Sequence, residues 1–284
     1  NKVTVYNNYN NNKKINGKKW SNFKNVDKNV IFDLAITNND INLFKKIKSK
    51  KYIAISHSIQ SIEKFIRKKQ LLSYLIYKPK IILLSDYHYK NRNKLLKIFG
   101  SINLEWAVDE IFLNTEIDDN LVENRAIFTS RNDRNLNILI DIWKNNIFLK
   151  NKSSKLYVTP SALIDNKFNI FERNFGSRAL LINDLIKSRV LLIPGHKGEL
   201  FCLAAEEARE LCIPIVTLGI GSLSERVIHG NTGFIAKNEF QFSKFALDIL
   251  NDDQIWSSLR KNLINYRGSK NWSKVAKKLI DNIK

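Results

Sequence analysis

Cysteine is scarce: Cys202 and Cys212 are the only two among 284 residues. Two cysteines build no disulfide framework, and no CxxC or Cys/His cluster has metal-ligand spacing, so a reducing cytoplasm fits best. Methionine is absent, initiator included; either the chain is trimmed or modified methionines are missing from it, which would disturb local spacings. Four prolines and ten glycines form no linker-like stretch. No apolar run reaches the roughly 18 residues of a membrane span, and the start NKVTVYNN has no apolar signal region, so the protein reads as soluble or peripheral. Acid is also short, with 27 Asp and Glu against 47 Lys and Arg, a formal net charge of +20. Apolar residues are not short: at 44% they exclude wholesale disorder, and the length suits two domains.

The charge suits an acidic partner, which could be nucleic acid, an anionic membrane leaflet or a phosphorylated small molecule. A plainer reading is compositional drift, because the chain is crowded with Lys, Asn and Ile. Nucleic acid is set aside, since there is no aromatic–basic interleaving, recognition-helix pattern or zinc finger. Lys45, Lys46, Lys48, Lys50, Lys51, Arg67, Lys68 and Lys69 lie near the apolar Ile62, Phe65, Ile66, Leu71 and Leu72. Such a stretch is either a surface that rests on anionic lipid or a solvated helix face.

Strand-like and helix-like runs alternate. Strands are expected at Val3–Tyr6, Val30–Ile36, Tyr52–Ser56 and Ile81–Ser85, with helices at 41–47, 59–76 and 91–99 and a polar segment from Asn7 to Asn16 that turns at Gly17. The rhythm breaks over 102–120. It restarts with strands at Arg125–Thr129, Lys155–Thr159, Val190–Ile193, Pro214–Leu218 and Phe234–Ala236, separated by helices at 135–147, 176–187 and 201–211 and closed by helices from Phe240 onward. Short apolar strands alternating with helices predict parallel α/β sheets, here two doubly wound domains whose ligands sit beyond the carboxyl ends of the strands.

The most informative stretch is Val190–Ala236. A buried strand ends at Pro194, a loop with Gly195 and Gly198 follows, and a helix opens near Phe201. Backbone N–H groups at such a helix start lack intrahelical partners and sit at the positive end of the dipole, which suits phosphate. Glu199 precedes the helix and Glu207 lies eight residues later. Carboxylates accept from hydroxyls, so a ligand with both a diphosphate and sugar hydroxyls satisfies the set. That describes a nucleotide sugar. Glu206 and Glu210 read as solvated residues of the same helix, Glu225 as a turn residue or a ligand contact, and Cys202 as a small filler. His88 and His229 read as surface residues, and His196 as a further candidate in the loop.

Glu199-x7-Glu207, Ala208, Pro214, the Gly219/Gly221 turn, Glu225 and Asn231-Thr232-Gly233-Phe234 together resemble the donor-site signature of family 4 retaining glycosyltransferases. Upstream, Phe128 to Leu136 with Leu139 and Trp143 resembles the first strand and helix of that family's C-terminal domain, where a basic pair neutralises the diphosphate. Arg131 and Arg134 stand at the matching positions. The second is Arg rather than Lys, the following Gly is Asn135, and the gap is shorter than common.

The resemblance implies a GT-B fold, two Rossmann-like doubly wound domains facing a cleft, and transfer of a sugar from a nucleoside diphosphate donor with retention at the anomeric carbon. Glu207 would accept from the ribose, Glu199 would lie beside the transferred sugar, and backbone around Gly198, Phe201, Cys202 and Leu203 would hold the donor. No metal is implied. His57, after the expected strand at 52–56, would contact acceptor or sugar, or is a satisfied or exposed histidine. The expected divisions are an acceptor-side domain over 1–118, lacking the family's first strand, glycine loop and helix; a donor domain over 119–267; and a helix over 268–284 crossing back. The rivals are a non-catalytic nucleotide-sugar-binding module and a GT-B epimerase.

Overall fold

The computed structural model describes residues 3–8, 13–15 and 17–283. Much of the polar segment expected between Asn7 and Asn16 lies outside the described residues. The chain forms two compact units, the first from residues 1–83 and 90–103 and the second from 84–89 and 104–284. The expected boundary at 118 lies within the second unit, because Val108 and Phe112 pack into its core.

The first unit opens with β1 (Thr4–Asn7), β2 (Lys13–Ile15) and β3 (Lys18–Asn22), a small sheet in the order β1-β3-β2. The expected strand at the start therefore pairs with β3 and not with the main sheet. Tyr6 packs edge-on against Phe32 of the next strand, joining the small sheet to the main one. That main sheet is wholly parallel: β4 (Ile31–Asn38), β5 (Lys48–Ile55), β6 (Lys80–Leu83) and β7 (Ser101–Asn103), in that order. A single helix over 59–76 was expected, and two are found, α1 (Ile62–Arg67) and α2 (Leu71–Tyr77). Lys69 takes a left-handed φ of 52° between them, and the Gln70 N–H turns back to the Phe65 carbonyl. No glycine marks that turn, so periodicity alone runs through it. Ile41, Phe44, Phe65, Tyr74, Ile81 and Leu83 form the core of this unit.

After β6, α3 (Asp86–Lys90) belongs up to Tyr89 with the second unit. His88, expected at the surface, is fully buried there, its Nδ1 3.3 Å from the Leu84 N–H. A histidine on the inward side of a short helix looks like a surface one in a sequence too polar to show periodicity. The second unit continues through α4 (Glu110–Asn114), β8 (Glu123–Phe128), α5 (Leu136–Ile142), β9 (Lys155–Val158), β10 (Ile170–Glu172), α6 (Arg178–Ile186), β11 (Ser188–Leu192), α7 (Leu203–Glu210), β12 (Ile215–Thr217), β13 (Gly233–Ile235), α8 (Glu239–Asn251), α9 (Asp253–Tyr266) and α10 (Trp272–Ile283). Its six parallel strands run β10-β9-β8-β11-β12-β13. β10 went unforeseen because a three-residue edge strand carries no alternation. The strand order reverses between β8 and β11, and at such a switch point the loops from two strand ends diverge and leave room for a ligand. Both loops singled out from the sequence, 129–135 and 193–202, leave from these two strands.

α7 is fixed by a buried network. Glu206 and Glu210, expected to be solvated, are 2% and 0% exposed. Glu206 binds Arg226 at 2.8 Å, Arg209 at 2.7 Å and Lys270 at 3.2 Å. Glu210 binds Arg209 at 2.6 Å and accepts from the Gly268 N–H at 2.7 Å. Glu105 closes the set on Arg226 at 3.1 Å and Lys270 at 2.5 Å. Burial alone would raise the Glu105 pKa, but hydrogen bonds from Arg226 and Lys270 and their charges hold it at about 2. Three carboxylates thus meet three cations, which is how charge survives in an interior. Glu206→Ala leaves Arg226 buried with less compensation and costs about 3–5 kcal/mol; urea unfolding at pH 7 measures the loss, and a change below about 1 kcal/mol would show the network to be dispensable.

Candidate functional site

The site is built on the switch point of the second unit. β11 delivers the chain to Pro194 and Gly195, where the φ of 98° and the Ile220 carbonyl, 2.7 Å from where a Cβ would stand, exclude any side chain. The Asn135 side chain donates to the Gly195 carbonyl at 2.6 Å, tying the β8 loop to the β11 loop. Gly221 is equally obligatory: a Cβ there would lie 2.5 Å from the His196 carbonyl and 2.8 Å from that of Glu199. The Ser222 N–H donates to the Glu199 carbonyl at 2.9 Å, and the Glu199 N–H to the His196 carbonyl at 2.8 Å. The loop is held by backbone from the 220–222 turn and by the Asn135 side chain.

Arg134 and Glu199 meet on this frame, Nε to Oε1, at 2.7 Å. Arg134 Nη1 lies 3.3 Å from His196 Nδ1, which also accepts from the Gly198 N–H at 2.9 Å. A side chain on Gly198 would press within 3.0 Å of that ring nitrogen. Arg131 is more exposed, but it and Arg134 share one carboxylate, Asp133, at 3.2 and 3.4 Å. The two guanidinium groups therefore converge on a single anion. Asp133 was not foreseen, though its position between the two arginines in sequence is the signal that could have found it.

α7 begins with Cys202 at a left-handed φ of 58°, and no side chain caps it. The first N–H groups of a helix have no intrahelical acceptor, so this end offers donors to an anion. Phe201 is anchored below it, 5% exposed, with Arg226 Cζ 4.8 Å over its ring and Trp106 at 6.2 Å between centroids. The Phe201 ring is thus an anchor, which leaves its backbone for binding. Burial raises the Cys202 thiol pKa well above the usual value, which suits a filler and not a nucleophile. Leu203 is 44% exposed.

Glu207, one residue after the buried Glu206, projects about 100° around the helix from it. Among the described residues it forms no ion pair. Burial pushes its pKa up to about 7, against the opposing charges of Arg178 and Arg173. Neither arginine was anticipated: Arg173 follows the unforeseen β10, and Arg178 opens the expected helix with no local signal that it faces Glu207. Arg178 also contacts Asp109, and Arg173 donates to the Asn174 carbonyl at 2.8 Å. Glu225 accepts from the Asp86 N–H at 3.0 Å and the Tyr87 N–H at 2.5 Å, so it caps α3. Tyr87 Oη then donates to the Lys197 carbonyl at 3.0 Å and braces the loop. His57 belongs to the first unit, where its N–H donates to Asn39 at 2.8 Å and burial lowers its ring pKa. His229 is exposed, as expected.

No protein-family profile matches the sequence, and no curated protein matches it. Solved structures do. WaaG, a glycosyltransferase involved in lipopolysaccharide biosynthesis, aligns over 100% of this chain and 91% of its own, with a TM-score of 0.67 and 13% identity. Anabaena HepE, solved with UDP and glucose, aligns over 88% of this chain and 77% of its own, at 0.68 and 14%. Staphylococcus aureus TarM, in complex with UDP among other ligands, gives 0.68 and 13% over 87% of this chain; the chain spans only 55% of TarM's length. The fold is therefore GT-B, as these glycosyltransferases have it, with two parallel-sheet α/β bodies. At such identities the likeness carries the fold alone.

The Glu207 carboxylate binds more protons in the folded than in the unfolded chain between pH 4.5 and about 7, so ionising it costs stability as pH rises through that window. Glu207→Gln removes the cost and raises the unfolding free energy by roughly 1–3 kcal/mol above pH 7, with little change near pH 4, after allowance for screening. Melting temperatures of both proteins at pH 4 and pH 8 check this; equal shifts at both would refute it.

Proposed function

We propose that the protein is a retaining glycosyltransferase that moves a sugar from a nucleoside diphosphate donor to an acceptor. The carrying observation is the grouping of Arg134, Glu199 and the uncapped start of α7 at the switch point, with Glu207 further along the same helix. Arg131 and Arg134 would take the diphosphate, as they now take Asp133. The helix N–H groups at Cys202 and Leu203 would share it, and Gly198 would let the donor approach the loop. Glu207 would accept from the ribose hydroxyls and Glu199 from the transferred sugar. UDP is the nucleotide to try first, because HepE was solved with UDP and with UDP-glucose.

In the transfer, the acceptor oxygen would bond to the anomeric carbon on the face from which the diphosphate departs, and the bond from that carbon to the diphosphate oxygen would break. The acceptor proton passes to the departing diphosphate. Negative charge grows on that leaving group, and fixed cations and amides stabilise it without reorganising, the usual largest contribution to such catalysis. His57 is proposed on the acceptor side. An anionic membrane surface is a proposed partner: Leu72, Leu75 and Ile76 are all more than half exposed on α2, beside Arg67, Lys68 and Lys69.

Glu207→Ala weakens UDP binding by about 1.5–3 kcal/mol, roughly 10- to 150-fold, the range for a hydrogen bond to a charged group. Calorimetric titration of both proteins measures it, and an unchanged dissociation constant removes Glu207 from the site. Donor turnover across UDP-, GDP-, ADP- and CMP-sugars separates the enzyme from its rivals. Tight binding with neither hydrolysis nor transfer to a broad acceptor set would identify a non-catalytic module.

A further inference from the structure

The first unit carries a concave site of its own. Asn39 and Ser56 directly follow the carboxyl ends of the neighbouring parallel strands β4 and β5, the edge at which parallel α/β sheets bind ligands. With Ser58, Gln60, Lys64 and Lys68 they line a small hollow that is partly open to solvent. No carboxylate lines it.

Gln60 is the telling residue. It is 2% exposed, its Nε2 donates to Tyr74 Oη at 2.9 Å, and its Oε1 has no partner among the described residues. Reversing the amide pairs Oε1 with the phenol and leaves Nε2 over instead, so either orientation holds one unspent polar atom. A buried polar atom without a partner is costly, and a hydroxyl, which both donates and accepts, satisfies it in either case.

Among the described residues the cations on the same hollow have no carboxylate partner: neither Lys64 nor Lys68 forms an ion pair, and Lys64 reaches only the Ser58 hydroxyl. The setting amplifies them. The first unit holds 22 Lys and Arg against 4 Asp and Glu, a formal +18, which leaves +2 for the second. Drift toward lysine acts on both units, but only the first lacks the acid that offsets it, and the resulting field draws anions.

We infer that this hollow binds a phosphoryl group carried on a hydroxylated body, with Lys64 and Lys68 on the phosphoryl oxygens and the Gln60 amide on a hydroxyl. The inference stands on the first unit alone; joined to the proposed transfer, which is a separate reading, it names the acceptor's chemical class.

Calorimetric titration of the full chain with glycerol 3-phosphate, inorganic phosphate and glycerol tests it, beside co-sedimentation with phosphatidylglycerol vesicles. Glycerol 3-phosphate is expected to bind at one site at least tenfold more tightly than phosphate, and glycerol not at all. Lys64→Gln with Lys68→Gln lowers that affinity at least tenfold, while Lys45→Gln with Lys46→Gln leaves it unchanged. Gln60→Leu abolishes the advantage over phosphate; should that variant not fold, the lysine pair decides. Vesicle binding that depends on Lys64 and Lys68, without binding of glycerol 3-phosphate, assigns the phosphoryl group to a lipid headgroup. The inference is overturned if neither probe binds, if both lysine pairs matter equally, or if folded Gln60→Leu keeps the full preference. UDP titrated into the Lys64→Gln/Lys68→Gln protein, whose hollow is disabled, reports on the second unit, so failure of the donor reading is seen separately.

Discussion

Glu206 holds the second unit's α7 and the segments packed on it in place. Its carboxylate is surrounded by Arg226, Arg209 and Lys270, and the Arg226 guanidinium in turn lies over the Phe201 ring. One buried charge therefore fixes the rotation of α7, the turn that carries Arg226 and the residue that leads into the helix. With α7 fixed, the next residue, Glu207, is committed to a different face, where burial penalises its ionisation. Two adjacent glutamates thus differ: one holds the helix, and the other is the residue proposed to meet the donor.

The loop before α7 is shaped by the lack of side chains. Gly195 and Gly221 admit carbonyl oxygens to distances at which any Cβ would collide, and those contacts bring Glu199 to Arg134. Backbone bonds from Ser222 and Glu199 and side-chain bonds from Asn135 and Tyr87 fix the loop together, so the guanidinium and carboxylate are positioned before any ligand arrives. Preorganisation of that kind lets fixed charges stabilise a departing diphosphate.

Much of this was legible in the sequence. Alternating apolar runs gave both parallel sheets except for their short edge strands β7 and β10, and the spacing from Glu199 to Phe234 placed the loop, the helix and the final strand. What stayed hidden has physical causes. Glu206 and Glu210 look solvated because their partners lie at Glu105, Arg226, Gly268 and Lys270, far away along the chain. The break at Lys69 is invisible because a lysine, not a glycine, takes the left-handed turn. The charge misled as well: +20 reads as an even property of the chain until the units are separated and nearly all of it falls on one. Of the twelve arginines, ten belong to the second unit, where several are consumed by buried ion pairs and carbonyls, as with Arg125, Arg226, Arg260 and Arg267.

The β11 loop and the start of α7 are proposed to receive a nucleoside diphosphate. Amide hydrogen exchange with and without UDP tests this most directly. Slowed exchange confined to residues 131–136 and 196–204, with the first unit unchanged, is the predicted result. Unchanged exchange in both segments at saturating UDP, or protection restricted to the first unit, would contradict it.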